Sequence, residues 1–195
     1  MTILYVHGFA SAGSSGTATH LRNMLYENGV SVIAPDIPVS PLRAMEFIKK
    51  TVEEIKPELI IGTSMGAFYI EQIKGYPRIL VNPSFHMARL LTFRGMKRHE
   101  FRNKREDGAK DFMVDKQMIA EYKEVEKNSF KNITSQEKEL VWGLFGTHDK
   151  NVNCQPDFRK AYGASHFQLF EGEHYLNDAV LKKAVLPLVK QLLSI

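Results

Sequence analysis

Residues 59–66 read Leu-Ile-Ile-Gly-Thr-Ser-Met-Gly. The first three are apolar and two of them are β-branched, which predicts a short buried strand. The residues that follow, 67–74, predict a helix, and Gly75 is a suitable residue to end it. The chain is therefore expected to turn sharply from a strand into a helix, with Ser64 in the turn.

Two glycines flank this serine at equal distance. Gly62 and Gly66 lie two positions before and after Ser64, and in so tight a turn a Cβ at either position would collide with the neighbouring strand or helix. The turn strains the serine and exposes its hydroxyl, while the start of the next helix offers a backbone N–H to a developing negative charge. Hydrolases present a nucleophilic serine in this way, so Ser64 is a candidate nucleophile.

Strand and helix patterns alternate on both sides of this turn. The alternation at the start of the chain is β-α-β-α-β-α-β, which implies parallel strands with right-handed crossovers. We expect an α/β protein with a compact α/β-hydrolase fold, in which helices cover both faces of a six-stranded, mostly parallel sheet. A length of 195 residues suits one domain over residues 1–195. The six predicted strands are residues 3–6, 30–34, 59–61, 78–81, 140–145 and 165–170.

A long segment interrupts the alternation between strands four and five. No strand is predicted there, whereas an amphipathic helix is expected near residues 115–127 and a short helical turn after Thr134. Long insertions in compact α/β domains are commonly functional. We therefore predict a helical lid over about residues 85–137.

Chemically useful side chains follow several of the predicted strands. Ser64 follows strand three, Asp149 follows strand five and His174 follows strand six, and the carboxyl ends of parallel strands meet at one edge of a sheet. The chain order Ser, Asp, His is that of α/β-hydrolases. This predicts a triad with Ser64 as nucleophile, His174 as base and Asp149 as acid, and an oxyanion hole formed by the backbone N–H groups of Phe9 and Met65.

Other residues compete for two of these roles. Asp36 also lies at a strand end, and Asp149 is preferred because it lies beside the strand that carries the histidine. His166 falls inside a strand pattern, and His148 adjoins the acid and is interpreted as a surface residue. The histidines have no metal-ligand spacing such as H-E-x-x-H, so we predict no metal site and no cofactor.

Substrate-lining candidates come from two regions. His7 ends strand one at the same sheet edge as the triad. The apolar lid residues Phe85, Met87, Leu90 and Phe93 could line an acyl pocket. They could equally pack the lid onto the core.

The lid also carries a basic run over residues 94–105. It has two interpretations: a solvated lid face, or recognition of phosphates on a thioester carrier such as coenzyme A or acyl carrier protein. A nucleic-acid partner is not predicted, because Phe93 and Phe101 are the only aromatic residues among these charges. The basic residues of the run are Arg94, Lys97, Arg98, Arg102, Lys104 and Arg105.

The charge, the cysteine content and the distribution of apolar residues indicate the compartment in which the protein is expected. The formal charge is +4, from 26 Lys+Arg and 22 Asp+Glu, and the one cysteine, Cys154, allows no intrachain disulfide. The first residues lack the basic region of a signal peptide, and no apolar run reaches the roughly 18 residues that would span a bilayer. We expect a cytoplasmic protein without a membrane span; the sequence does not predict an oligomeric state.

Several of these stretches together carry a family resemblance. The chain resembles the YqiA-like small bacterial esterases of the α/β-hydrolase superfamily over nearly its whole length, and least over residues 85–134. The resemblance implies the same triad of Ser64, Asp149 and His174. The stretches that carry it are residues 4–9 (Leu-Tyr-Val-His-Gly-Phe), 62–69 (Gly-Thr-Ser-Met-Gly-Ala-Phe-Tyr), 81–83 (Val-Asn-Pro), 141–142 (Val-Trp), 146–149 (Gly-Thr-His-Asp) and 172–174 (Gly-Glu-His).

Three functions are compatible with these patterns. The first is a serine hydrolase that cleaves carboxylic esters with short- to medium-chain acyl groups through an acyl-enzyme. The second is a thioesterase that acts on coenzyme A or acyl-carrier thioesters. The third is a non-catalytic binding protein on a hydrolase fold, although such proteins commonly lose a triad member and here all three are present.

Overall fold

The structure is a computed structural model that describes residues 1–195. Its strands are β1 (Thr2–Val6), β2 (Ser31–Ile33), β3 (Leu59–Thr63), β4 (Arg78–Val81), β5 (Arg98–Glu100), β6 (Asp111–Met113), β7 (Val141–Gly146) and β8 (Phe167–Phe170). Its helices are α1 (Gly16–Tyr26), α2 (Pro41–Ile55), α3 (Met65–Glu71), α4 (Met87–Arg94), α5 (Lys116–Glu126), α6 (Ser135–Leu140), α7 (Gln155–Tyr162), α8 (Asp178–Val180) and α9 (Leu186–Leu193). A π-helical segment, Leu181–Val185, joins α8 to α9.

Six of the strands form one sheet in the order β2-β1-β3-β4-β7-β8. Every pair in this sheet is parallel, which confirms the predicted α/β class and the six predicted strands. Strands β7 and β8 are direct neighbours. The segments that follow these two strands, which carry Asp149 and His174, therefore start side by side at the carboxyl edge.

Hydrophobic cores lie on both faces of the sheet. Leu4 and Val6 of β1 belong to one core, with apolar residues of α2, α3, α5 and α7. Ile3 and Tyr5 belong to the other, with apolar residues of α1 and the C-terminal helix. Because both faces are covered, the strands appear in the sequence as continuous apolar runs without alternation.

The insertion between β4 and β7 is not wholly helical, which corrects the prediction. It contains α4, α5 and α6, but β5 and β6 also pair as an antiparallel two-stranded sheet. Each strand has three residues, Arg-His-Glu and Asp-Phe-Met, and none of the six is fully buried. So short and polar a pair leaves no periodic pattern in the sequence, and its pairing depends on tertiary contacts.

Helices α4 and α5 of the insertion are joined to the sheet by a shared core. Met87 and Leu91 of α4 and Tyr122 and Val125 of α5 are buried in the same cluster as Leu4 of β1. Helix α5 begins where the sequence predicted, with the Asp115 side chain accepting a hydrogen bond from the Met118 N–H at 2.8 Å. The helices therefore pack as an extension of the core.

The connection between β5 and β6 lies across the loop that follows β1. The Arg102 N–H donates to the Ala10 carbonyl at 2.9 Å, and the Ser11 hydroxyl donates to the Asn103 side chain at 3.1 Å. The loop after β1 carries Phe9, a predicted oxyanion donor. The insertion thus helps to fix the position of the loop that carries Phe9.

A buried ionic network supports the end of α3. The Arg78 guanidinium is fully buried, donates to the Glu71 carbonyl at 2.9 Å and pairs with Glu137. The Tyr162 hydroxyl donates to the Glu71 carboxylate at 2.5 Å. The hydrogen bond from Arg78 satisfies a backbone carbonyl that the end of a helix leaves without a partner, and the other two contacts join the carboxylates of Glu71 and Glu137 to the same network.

No helix in the protein combines the length and the apolar character that crossing a membrane requires.

The close approach of α3 to β1 yields a stability prediction. A Cβ on Gly66 would lie 2.0 Å from the Val6 carbonyl oxygen, whereas a Cβ on Gly16 would meet nothing within 4 Å. Gly66→Ala must push two backbones apart, so we expect it to lower the free energy of unfolding by about 3 kcal/mol or more. Urea unfolding followed by circular dichroism measures the change, with Gly16→Ala as the matched control, expected within about 1 kcal/mol of wild type. Equal midpoints for the two variants would contradict the packing described here.

Candidate active site

Ser64 stands in a strained turn between β3 and α3. Its backbone has φ 55° and ψ −114°, a region that side-chain-bearing residues rarely occupy. A Cβ on Gly62 would lie 2.7 Å from the Ala67 nitrogen, and one on Gly66 would meet the backbone of β1. The two glycines therefore have the steric reason that the sequence suggested, and the turn is a nucleophile elbow in its geometry.

The three predicted triad residues form one hydrogen-bonded chain. The Nε2 atom of His174 lies 2.9 Å from the Ser64 Oγ, and its Nδ1 atom lies 2.6 Å from the Asp149 carboxylate. The side chains of His174 and Asp149 are 6% and 5% exposed, so water scarcely competes for this hydrogen bond. The arrangement can accept a proton from Ser64 and hold the resulting positive charge.

The loop after β7 orients Asp149. Its Oδ1 atom accepts hydrogen bonds from the N–H groups of Asn151 at 2.8 Å and Val152 at 3.0 Å. Burial raises the pKa of Asp149, but the hydrogen bond and charge of His174, together with these two N–H groups, outweigh burial and leave the pKa below its usual value. Asp149 is therefore ionised at neutral pH and accepts a hydrogen bond from His174 Nδ1–H.

Asn82 and Ser84, which follow β4, were not singled out as site residues. The Asn82 side chain donates to the carbonyls of Glu173 and His174 at 3.0 and 3.1 Å and accepts from the Gly146 N–H at 2.7 Å. It thereby ties the histidine loop to the end of β7. The Ser84 Oγ lies 3.0 Å from the Ser64 Oγ. Their position at a strand end is the signal that could have identified both residues.

The two predicted oxyanion donors lie on opposite sides of Ser64 in the chain. A Cβ on Gly8 would lie 3.4 Å from the Ser64 Cβ, so the loop that carries Phe9 runs against the serine. The Phe9 N–H donates no hydrogen bond within the protein, and Met65 is the first residue of α3, where an N–H has no acceptor inside the helix. Both N–H groups are therefore free to bind an external acceptor.

A cavity of about 580 Å³ opens beside Ser64 and His174. Two of the predicted substrate-lining residues, Met87 and Leu90 of α4, line this cavity, as does Phe9. A volume of this size suits a small organic ligand.

The structure places the other three substrate-lining candidates outside this cavity. Phe85 is buried and packs edge-on against Phe130 at 4.7 Å between ring centroids. Phe93 is 80% exposed on the outer face of α4. The sequence assigned all of these apolar residues alike, because helical periodicity does not identify which segment faces them.

His7 forms hydrogen bonds that position the loop after β1 and does not line the cavity. Its Nε2 accepts a hydrogen bond from the Ile37 N–H at 3.0 Å, and its Nδ1 lies 2.9 Å from the Gly8 carbonyl oxygen. Burial lowers the pKa of His7 to about 4, so the imidazole is neutral at neutral pH and Nδ1–H is the donor. His7 therefore orients the peptides next to Phe9 without facing the cavity.

The competing acid and histidines have other contacts. The Asp36 carboxylate accepts from the N–H groups of Gly13 at 2.8 Å and Glu106 at 2.7 Å, away from Ser64. His166 stacks on Trp142 with ring centroids 4.1 Å apart. His148 is exposed.

Three potential metal ligands that do not belong to the triad lie close together. Suitable atoms of His86, Cys154 and Asp157 lie within 4.8 Å of one another, a proximity that sequence spacing did not indicate. His86 Nε2 and the Asp157 carboxylate are 3.2 Å apart. Burial raises the pKa of the Cys154 thiol to about 11, so in this environment the sulfur is protonated.

The basic run divides into residues with different contacts. Arg98 pairs with Asp111 at 2.7 Å, and the buried Arg105 pairs with Asp107 at 2.9 Å. Arg94 and Arg102 instead line the cavity beside Ser64. The run is therefore neither wholly a solvated face nor wholly a binding surface.

Several solved structures of similar fold are named as hydrolases or as a thioesterase. Alpha/beta hydrolase domain-containing protein 10 from mouse superposes with a TM-score of 0.66 at 12% identity, over 99% of this chain and 89% of that one. FphF, a fluorophosphonate-binding serine hydrolase of Staphylococcus aureus, gives 0.57 at 17% identity, over 98% and 82%. A thioesterase domain from the curacin biosynthetic pathway gives 0.57 at 15% identity, over 98% and 90%. The chain has the α/β-hydrolase fold.

The sequence also matches a family profile. Residues 2–181 match the uncharacterised protein family UPF0227. The chain belongs to this family, which is the YqiA-like family that the sequence motifs suggested.

Proposed function

We propose that this protein is a serine hydrolase that cleaves carboxylic esters through an acyl-enzyme. The observation that carries the proposal is the hydrogen-bonded chain from Asp149 through His174 to Ser64, with the serine strained in an elbow beside a cavity. Neighbours named as hydrolases support the class of activity. The triad roles and the choice of esters are our inference.

In the first half-reaction the Ser64 hydroxyl attacks the ester carbonyl while His174 Nε2 takes its proton. The ionised Asp149 keeps the proton of the imidazole on Nδ1 and stabilises the imidazolium. The backbone N–H groups of Phe9 and Met65 stabilise the oxyanion of the tetrahedral intermediate. His174 then donates its proton to the leaving alcohol.

In the second half-reaction His174 removes a proton from water, which attacks the acyl-enzyme. The same N–H groups stabilise the second oxyanion, and His174 returns the proton to Ser64 as the acid leaves. Ser84 stabilises the orientation of the Ser64 hydroxyl before substrate binds, because the Ser84 hydroxyl can donate to the Ser64 Oγ while Ser64 donates to His174.

The lining of the cavity favours substrates with short- to medium-chain acyl groups. Met87, Leu90 and Leu91 of α4 supply much of the apolar lining of the cavity of about 580 Å³, and more than half of the lining residues are polar or glycine. We therefore expect activity to fall for long acyl chains, which would extend beyond the apolar wall.

A panel of p-nitrophenyl esters with acyl chains of increasing length tests the proposal. Hydrolysis of the shorter esters is expected, together with covalent labelling of Ser64 by a fluorophosphonate probe, located by peptide mass spectrometry. Absence of both hydrolysis and labelling in folded protein would refute the proposal and favour a non-catalytic binding protein.

A thioesterase is the second candidate. The same triad can attack a thioester carbonyl, and the observation in its favour is that Arg94 and Arg102 of the basic run line the cavity. Matched oxygen and sulfur esters of one acyl group distinguish the two candidates. A higher kcat/KM for the coenzyme A thioester than for every simple ester would favour the thioesterase.

Asn82→Asp is expected to reduce kcat/KM on the order of 10²-fold. A carboxylate can still accept from the Gly146 N–H, but it cannot donate to the carbonyls of Glu173 and His174, and small displacements of a catalytic group have effects of that size. Steady-state kinetics measures the change. Asn23→Asp, at an exposed position of α1, is the matched control and should retain wild-type kinetics; a comparable loss there would show that the effect is not specific to the histidine loop.

A further inference from the structure

Two arginines with no carboxylate partner line the cavity beside the triad. Arg94, at the end of α4, and Arg102, between β5 and β6, are both cavity residues. Neither forms an ion pair, whereas Arg98 and Arg105 of the same run do. Two guanidinium groups therefore contribute uncompensated positive charge to this cavity.

Arg102 is held in place by groups adjacent to the triad. Its Nη2 donates to the Phe9 carbonyl at 3.0 Å, and its guanidinium lies 4.8 Å from the centroid of the Tyr175 ring, next to His174 in the chain. One guanidinium has five N–H donors, so most of them are left for a ligand. An arginine oriented in this way loses little side-chain entropy when it binds an anion.

The acidic group of the cavity is already engaged. Asp178 is the one carboxylate among the lining residues, and its Oδ1 lies 2.5 Å from His20 Nδ1. It therefore has a partner other than the arginines. The rest of the polar lining contains no carboxylate and includes the hydroxyls of Tyr5, Ser15 and Thr17.

Much of the apolar lining lies on α4, the helix that ends in Arg94. Met87, Leu90 and Leu91 come from α4, and Phe9, Val152 and Leu176 come from three loops. Arg94 follows this apolar wall by one helical turn. A ligand that filled the cavity would thus contact apolar side chains with one part and guanidinium groups with another.

We propose that Arg94 and Arg102 form a subsite for an anionic oxygen group, so that the preferred substrate is an ester that bears a carboxylate or a phosphate. The inference rests on the proposed hydrolase function and specifies its substrate class. Guanidinium groups bind both kinds of oxyanion through charge-assisted hydrogen bonds, and because both arginines are exposed, we expect the preference for anionic esters to weaken as the salt concentration rises.

Two pairs of esters test this subsite. Monomethyl adipate is compared with methyl adipamate, in which a carboxamide replaces the carboxylate, and 2-phosphoethyl butyrate is compared with 2-hydroxyethyl butyrate, which lacks the phosphate. We expect kcat/KM for the anionic member of at least one pair to exceed that of the neutral member about tenfold or more, as a charge-assisted hydrogen bond warrants. The pair with the larger ratio identifies whether the subsite favours a carboxylate on the acyl side of the ester or a phosphate on the alcohol side.

Variants assign the preference to the arginines. Arg94→Gln is expected to reduce the ratio of anionic to neutral kcat/KM about tenfold, and Lys97→Gln, an exposed basic residue of the same run outside the cavity, should leave the ratio unchanged. A wild-type ratio near one for both pairs would overturn the subsite, as would an unchanged ratio in Arg94→Gln.

A binding measurement separates this inference from the proposed function. Calorimetric titration of Ser64→Ala with monomethyl adipate and with 2-phosphoethyl butyrate reports binding without turnover. Binding that Arg94→Gln weakens, in a protein that hydrolyses no ester, would support the subsite and refute the hydrolase. Hydrolysis of neutral esters with no binding preference for the anionic ones would support the hydrolase and refute the subsite.

Discussion

Ser64→Ala is expected to lower kcat/KM for ester hydrolysis about 10⁶-fold, the size of loss that follows removal of a triad nucleophile. The hydroxyl lies 2.9 Å from His174 Nε2, and the elbow holds it in one orientation. Alanine removes the attacking atom and leaves the imidazole without a proton donor. Single-turnover and steady-state assays on the most rapidly cleaved p-nitrophenyl ester measure the loss.

Ser84→Ala is the control for this substitution. Ser84 is buried, and its hydroxyl lies 3.0 Å from that of Ser64, so each variant removes one hydroxyl from the same small cluster. We expect Ser84→Ala to lower kcat/KM less than about tenfold, because it removes a neutral hydrogen bond to the nucleophile. Retention of activity within tenfold of wild type by Ser64→Ala would refute the assignment of the nucleophile.

Asp149→Asn is expected to lower kcat about 10⁴-fold, as in a triad whose acid becomes an amide. The Asp149 carboxylate accepts the Nδ1–H of His174 at 2.6 Å. An amide nitrogen in its place would donate to Nδ1, and the imidazole proton would then sit on Nε2, facing Ser64. In that tautomer the histidine cannot accept the serine proton. The assay is steady-state hydrolysis together with the rate of fluorophosphonate labelling, which should fall in parallel.

Asp36→Asn controls for the loss of a partly buried, hydrogen-bonded acidic charge. Asp36 accepts hydrogen bonds from two backbone N–H groups, and an amide oxygen can preserve one of them. Its effect should be on stability, with kcat within about tenfold of wild type. If Asp36→Asn abolished hydrolysis and Asp149→Asn did not, the acid of the triad would have been assigned to the wrong residue.

The fold was predictable because its signals are local. Buried parallel strands appear as apolar runs, and the glycines at 62 and 66 mark a turn that excludes a Cβ. The positions of Ser64, Asp149 and His174 after three strands were enough to predict that they meet, because parallel strands bring their carboxyl ends to one edge.

The sequence patterns did not predict the β5–β6 pair, because contacts with segments distant in the chain stabilise it. Three-residue strands with exposed, charged side chains have no hydrophobic pattern. They are held by contacts with the loop after β1, such as that from Arg102 to Ala10, and these residues are far apart in the chain.

The sequence alone established the α/β class, the elbow at Ser64 and the three residues that form one hydrogen-bonded chain, since each depends on apolar periodicity, turn glycines or a strand end. The tertiary structure established which candidates face the cavity: Met87 and Leu90 do, while Phe85 packs in the core. It likewise distinguished Arg94 and Arg102 from their neighbours in the basic run. The physical reason is that the partner or cavity that a side chain meets depends on segments distant in sequence, and no local pattern records it.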